Sequence, residues 1–168
     1  MTISNDGYSI STDKSKMDID FIHGFLTRSY WAEGVTKDII KKSVNGSLCF
    51  GVFRNDPSPL ASVSGGQSLW RRHAGKQVGF ARMVTDEATF AYLADVFIIE
   101  DHRRKGLSKW LMETIMSYPG LQGLRRMLLA TRDAHGLYTQ FGFTPLNNPE
   151  RWMQIHNPDI YKNASGKN

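Results

Sequence analysis

Apolar and polar positions alternate along this chain in two distinct rhythms. From about 17 to 31, Phe21, Ile22, Phe25 and Leu26 recur at the three-and-four spacing of an amphipathic helix. A second helix is predicted from Thr36, which stands in the capping position ahead of Ile39, Ile40 and Val44, with a stop near Gly46. A short strand over 7–12 precedes both. The run Leu48-Cys49-Phe50-Gly51-Val52-Phe53 reads as a strand, and Asn55-Asp56-Pro57-Ser58-Pro59 breaks it. A polar excursion then reaches about residue 76, long enough to point to a functional or mobile segment. Beyond it, Val78 to Val84 forms a strand, Thr85-Asp86-Glu87 a turn, and Thr89 to Ile99 a long strand that is apolar on both faces, as central strands are. Leu107, Trp110, Leu111 and Ile115 make a helical stripe that ends before Pro119-Gly120, and Arg126 to Thr131 supplies a further strand. A short helix over Ala134 to Phe141 and strands near 141–145 and 151–155 close the series. This order predicts an α/β fold of mixed α+β type, in which helices cover both faces of one mixed sheet.

Length and composition narrow the class. The 168 residues suit one domain, 1–168, with loose polar tails at about 1–6 and 162–168. With 40% apolar and 22% charged residues the chain is neither disordered nor fibrous, and no apolar run approaches the 18 or so residues of a spanning helix. The first twenty residues hold no hydrophobic signal segment, and Cys49 alone cannot form an internal disulfide, so a reducing cytoplasm is the expected setting. Cys49, between Leu48 and Phe50, reads as a core residue. Asn163-Ala164-Ser165 matches a glycosylation acceptor, which carries no meaning without secretion. His23, His73, His102, His135 and His156 show no ligand spacing with cysteine or acidic partners, so no metal is expected.

The formal charge is +5, and it gathers in two places. One is Trp70-Arg71-Arg72-His73 with Lys76; the other is Arg103-Arg104-Lys105 with Lys109. Net charge speaks first to solubility and steering, and nothing in these clusters singles out nucleic acid as a partner. The second cluster differs from a plain solvated face because Gly106 lies inside it and a helix begins there. In Val96-Phe97-Ile98-Ile99-Glu100-Asp101-His102-Arg103-Arg104-Lys105-Gly106-Leu107-Ser108 a buried strand feeds a basic turn that opens into a helix. Free backbone N–H groups and the positive helix end converge at such a junction, which suits an anion. Gly106 permits close approach of a phosphate, and Ser108 is small enough to keep that approach open. Neither G-x-x-x-x-G-K-[ST] nor G-x-G-x-x-G occurs, so this is not a Walker or dinucleotide loop.

Arg103-Arg104-Lys105-Gly106-Leu107-Ser108 resembles the acyl-CoA loop R/Q-x-x-G-x-G/A of the GNAT superfamily of N-acetyltransferases, with Ser108 in the final small-residue place. Leu93-Ala94-Asp95-Val96-Phe97-Ile98 is similar to that family's splayed fourth strand, and Ala134 to Phe143 is similar to its A-x-x-L-Y-x-x-x-G-F segment. The likeness is specific over about 77–145 and departs at Thr131, where many members carry Asn. It implies a mostly antiparallel sheet of six to seven strands and an opening between 92–99 and 126–131 for the pantetheine arm of acetyl-CoA. Across Val96-Phe97-Ile98 the backbone groups of Val96 and Ile98 would pair with pantetheine. The amides of Arg104, Lys105, Gly106, Leu107 and Ser108 would hold the pyrophosphate, and Arg103 and Lys105 would add charge.

Transfer to a primary amine has a chemical requirement of its own. An amine of pKa about 10.4 is neutral in only about 10⁻³·⁴ of molecules at pH 7, a handicap of roughly 4.6 kcal/mol, so a base or a water chain helps. Asp95, a carboxylate among apolar residues of a central strand, must be paired, bound or shifted in pKa, and is a candidate base. His135 titrates in the useful range and is a second. Tyr138 falls at helical spacing with Ala134 and Phe141, as a core residue would, but the resemblance places it facing the thioester sulfur as a general acid. Tyr30-Trp31 and Trp70 are candidate walls of the acceptor pocket. The expected function is therefore acetyl transfer from acetyl-CoA to the amine of a small molecule, without membrane or nucleic-acid partners and with a homodimer as an open option. The alternatives are a binding-only acyl-CoA or partner-binding module of the same fold, and action on a protein or RNA-linked amine.

Overall fold

The computed structural model describes residues 1–55 and 75–161. Its first two strands, β1 (Thr2–Asn5) and β2 (Tyr8–Ser11), form an antiparallel hairpin in the register Thr2↔Ser11 to Asn5↔Tyr8. Residues 1–6, expected as a loose tail, are thus half of a hairpin. The reason is local: Asp6 and Gly7 both adopt positive φ (44° and 75°), the requirement of a two-residue type I′ turn, and Asp-Gly meets it.

Helices α1 (Ile19–Leu26) and α2 (Lys37–Asn45) follow. Asp18 caps α1 by accepting from the Phe21 amide, whereas Thr36 precedes α2 without a side-chain cap bond. Strands β3 (Leu48–Arg54), β4 (Lys76–Thr85) and β5 (Phe90–Ile98) then pair antiparallel in sequence. Helix α3 (Leu107–Met116) returns the chain so that β6 (Arg126–Leu129) lies parallel to β5. The sheet order is β1-β2-β3-β4-β5-β6, with one parallel pair at the end. Helix α4 (His135–Tyr138) is a single turn prolonged as 3₁₀ to Phe141, shorter than the helix the pattern predicts.

The two closing strands near 141–145 and 151–155 do not form. Gly142 turns the chain at φ +83°, Pro145 has no N–H to give a ladder, and Pro149 opens a 3₁₀ turn over Pro149–Arg151. Past that turn Met153 and Ile155 are fully exposed, so their alternation marks no buried face.

Each face of the sheet carries its own core. Phe50, Val52, Met83 and Leu93 pack under Leu111, Met112 and Ile115 of α3. On the other face Cys49, Phe53, Phe80 and Phe97 meet Ile22 and Leu26 of α1 and Ile40 and Val44 of α2. Each of the large apolar side chains stabilises the fold by about 1.5–3 kcal/mol on burial. Along β5 the alternation breaks: Leu93 belongs to the α3 side and Phe97 to the α1–α2 side, although they stand an even four positions apart. A strand of period two cannot do this without an extra residue.

Candidate active site and anion-binding turn

That extra residue opens the site. Arg82 of β4 pairs with Ala94 and Phe80 with Phe97, so Asp95 and Val96 together oppose Ala81. Asp95 takes φ +55°, a left-handed conformation that Asp tolerates better than a branched or bulky residue would. The bulge bends β5. Its pairing with β6 runs from Phe90↔Arg126 to Leu93↔Leu129 and ends there. Between the parted strands lies an open cavity of about 460 Å³ whose walls include Trp31, Tyr92, Asp95, Val96, Thr131 and Tyr138.

Tyr138 is buried, and its ring packs edge-on against Phe143 at 6.0 Å. Burial, with Tyr30 and Asp133 nearby, pushes its pKa up to about 12, so the phenol stays protonated. Its hydroxyl has no hydrogen-bond partner among the described residues. Asp95 is held from two sides: Oδ2 accepts from Arg82 Nε at 2.5 Å and Oδ1 from Trp31 Nε1 at 3.1 Å. His135 is exposed and outside the cavity lining. It stands three positions before Tyr138, the spacing that puts two side chains on one helix side, but α4 is a single turn entered from the non-helical Ala134 (φ −107°, ψ 22°), and His135 at its first position stays in solvent. Thr131 Oγ1 accepts from the Ala134 amide at 3.0 Å, so this threonine fixes the start of α4.

At the far end of β5 the chain makes a 3₁₀ turn over Glu100–His102 and then the basic loop. Arg104 (φ 61°) and Gly106 (φ 75°) are left-handed with Lys105 between them on the ordinary side, an alternation that turns successive N–H groups to one side. The amides of Arg104 to Lys109 donate to no acceptor among the described residues, and the first bonded amide of the helix is Trp110 N–H to Gly106 O, 3.0 Å. Apart from its own chain neighbours, no atom lies within 4 Å of the place a Cβ would take on Gly106. These groups fit a pyrophosphate: unpaired donors, open approach and four exposed cations in Arg103, Arg104, Lys105 and Lys109. Arg103 has a second task, since its Nε donates to the Ile98 carbonyl at 3.0 Å. Of the strand positions expected to serve pantetheine, Val96 lines the cavity, whereas the Phe97 ring stacks on Phe25 at 3.8 Å inside the core and leaves only its backbone.

Both Tyr30 and Trp31 reach the cavity, as the sequence led us to expect; Trp70, Arg71, Arg72, the excursion over 57–74 and Asn163 lie outside the described residues. Arg82, Tyr92 and Arg132 were not anticipated. Arg82 had a signal: an arginine in an otherwise apolar strand requires a partner as much as Asp95 does. Arg132 stacks its guanidinium 3.8 Å above the Tyr30 ring. Among the described residues there is no group of acidic, histidine or cysteine side chains arranged for a metal, and no helix long and apolar enough to cross a membrane.

Comparison with known proteins agrees with this geometry. Residues 65–145 match the acetyltransferase (GNAT) domain family. A candidate acetyltransferase of Gibberella zeae, FG08082, is 32% identical over 136 residues, 78% of this chain and 75% of that protein. The crystal structure of a candidate GNAT-family acetyltransferase from Xanthomonas campestris pv. campestris superposes with a TM-score of 0.79 at 42% identity, covering 94% of this chain and 99% of that one. A candidate acetyltransferase from Clostridium acetobutylicum, crystallised with acetyl-CoA, shares the fold with a TM-score of 0.56 at 11% identity over 89% of this chain and 94% of that one.

Proposed function

The chain belongs to the GNAT acetyltransferase family, and from that premise we propose that it transfers the acetyl group of acetyl-CoA directly to the primary amine of a small molecule. The observation that carries this reading is the placement of a basic turn with unpaired amides and a parted strand pair at successive points of one strand, β5, with Tyr138 in the lining of the gap between the strands.

Acetyl-CoA brings an activated acetyl group as a thioester, and its transfer forms an amide bond and breaks the C–S bond, the ammonium losing one proton to solvent before attack and a second, on amide formation, that balances the CoA thiolate as free CoA thiol. The residues of this chain bind, orient and donate. Amides of Arg104 to Ser108 hold the pyrophosphate, and the cations beside them draw it in. Backbone groups along the free edge of β5 at Val96 align the pantetheine arm. The Tyr138 phenol, protonated at any physiological pH, donates a hydrogen bond toward the departing thiolate. Because a phenol raised to about 12 gives up its proton reluctantly to a thiolate of conjugate pKa near 8.5, stabilisation of developing charge is its larger contribution. Tyr30, Trp31 and Tyr92 supply an aromatic wall on the acceptor side, in a cavity of the size that small ligands occupy.

Mass spectrometry of an amine library incubated with the protein and acetyl-CoA tests the proposal. Acetylated products and free CoA are expected. Tight CoA binding without any product would overturn it in favour of a binding-only module, and exclusive labelling of protein or RNA-linked amines would overturn the small-molecule acceptor.

A further inference from the structure

Asp95 spans the opening from three directions. Its backbone forms the bulge that parts β5 from β6, its Oδ2 accepts from Arg82 Nε on β4, and its Oδ1 accepts from Trp31 Nε1 on the α1–α2 connection, 64 residues away in sequence. The pair is largely shielded from water, with the carboxylate side chain 9% and the arginine side chain 20% exposed. Arg82 is steadied in turn by Ser47 Oγ, 3.4 Å from Nη1. Trp31 is half open to solvent and rests against Tyr30 edge-on at 4.9 Å and against Phe25 at 6.3 Å. The link to Asp95 is the one hydrogen bond of the Trp31 side chain among the described residues.

Two consequences follow from chemistry. A carboxylate that accepts from a cation on one oxygen and from an indole N–H on the other has its charge balanced by Arg82 and one acceptor site on each oxygen engaged, which suits holding better than removing a proton from an incoming ammonium. A wall residue tied to the strand by one bond sits in one place, and acceptor binding then depends on that bond. We infer that Asp95 is a positioning residue of the acceptor side: it locks the Trp31 wall to the bulge beneath the reaction centre, and the proton of the acceptor leaves by another path. This inference rests on the acetyl-transfer reading and adds to it a device that couples acceptor recognition to the shape of the opening.

The test uses Trp31→Phe, which keeps a ring and removes the N–H, Asp95→Ala, which removes the acceptor, and Asp95→Asn, which keeps an oxygen for the indole and removes the basic carboxylate. With an amine that the native protein acetylates, Asp95→Ala and Trp31→Phe should each raise acceptor KM about tenfold, keep kcat within about fivefold and leave CoA affinity unchanged. The double variant should be no worse than Asp95→Ala alone, because both single changes break the same link. A hundredfold loss of kcat in Asp95→Asn at unchanged acceptor KM would overturn the inference and make Asp95 the proton acceptor, and additive losses in the double variant would overturn the coupling. A second readout does not need turnover. The chain has four tryptophans, and the indole ¹H–¹⁵N signal that Trp31→Phe abolishes should shift in Asp95→Ala while the other three hold; an unmoved signal refutes the tether. If that signal responds but the native protein acetylates no amine, the tether stands and the acetyl-transfer reading is what fails.

Discussion

The Tyr8 hydroxyl lies 2.8 Å from Nδ1 of His102, a contact between residues 94 apart that ties β2 to the turn feeding the basic loop. Their rings meet edge-on at 5.7 Å, and His102 is buried. The basic loop is therefore anchored to the sheet one residue before its first cation, Arg103.

This anchor predicts an acid sensitivity. Burial, then the positive charges of Lys105 and Arg54, hold the His102 pKa below its usual 6.5. As pH falls through about 6.5 the unfolded chain takes up a proton that the folded one resists, so this residue makes the fold lose stability from there downward. His102→Gln removes the titration. Calorimetric Tm values from pH 7 to 5.5 should fall less steeply in the variant than in the native protein; equal slopes would refute the assignment.

Gly106 is the conformational key to the same loop. With φ at 75° and open space around it, a side chain there meets no atom but strains the backbone by about 1–2 kcal/mol. Gly106→Val should weaken CoA binding at least tenfold by titration calorimetry while lowering Tm only slightly, since the turn is exposed. Unchanged affinity with a native circular-dichroism spectrum would move the cofactor elsewhere.

Tyr138→Phe removes one oxygen and keeps the ring against Phe143. If its hydroxyl serves the departing thiolate, kcat should fall by roughly 10²–10⁴ with CoA affinity and Tm almost unchanged. A loss below threefold, or one that tracks a lower Tm, would make the residue structural. Since its phenol titrates near 12, any alkaline decline of kcat below about pH 10 should persist in the variant.

Cys49 is buried, its thiol turned to the Val44 carbonyl at 3.5 Å, and burial pushes its pKa up to about 11. A thiol in that state is unreactive. A disulfide reagent at pH 8 should leave the native protein unlabelled and label one thiol after denaturation; rapid native labelling would contradict this packing.

Much of the site was legible before any coordinates, because its signals are local. The basic turn with Gly106 at a helix start, the apolar strand over 89–99 and the Ala134 to Phe143 segment each state a backbone requirement within a dozen residues, although the strand's Phe90 and Tyr92 stay exposed where two buried faces were expected. The Asp6-Gly7 turn is equally local, yet a polar end reads as a tail until its positive-φ preference is weighed.

Determined by the sequence alone are the helix periods, the strand that runs into the basic turn, the turn itself and the resemblance those motifs carry, all of which follow from torsional preference and spacing along a short stretch of chain. Decided only in the tertiary structure are the bulge at Asp95, the parting of β5 and β6 beyond Leu93 and Leu129, the pairing of Asp95 with Arg82 and Trp31, the turning of His135 away from the cavity and the failure of the last two strands to form. Strand register, ion pairing and the burial of an alternating face depend on which distant residues pack together, and period and composition do not encode those partners.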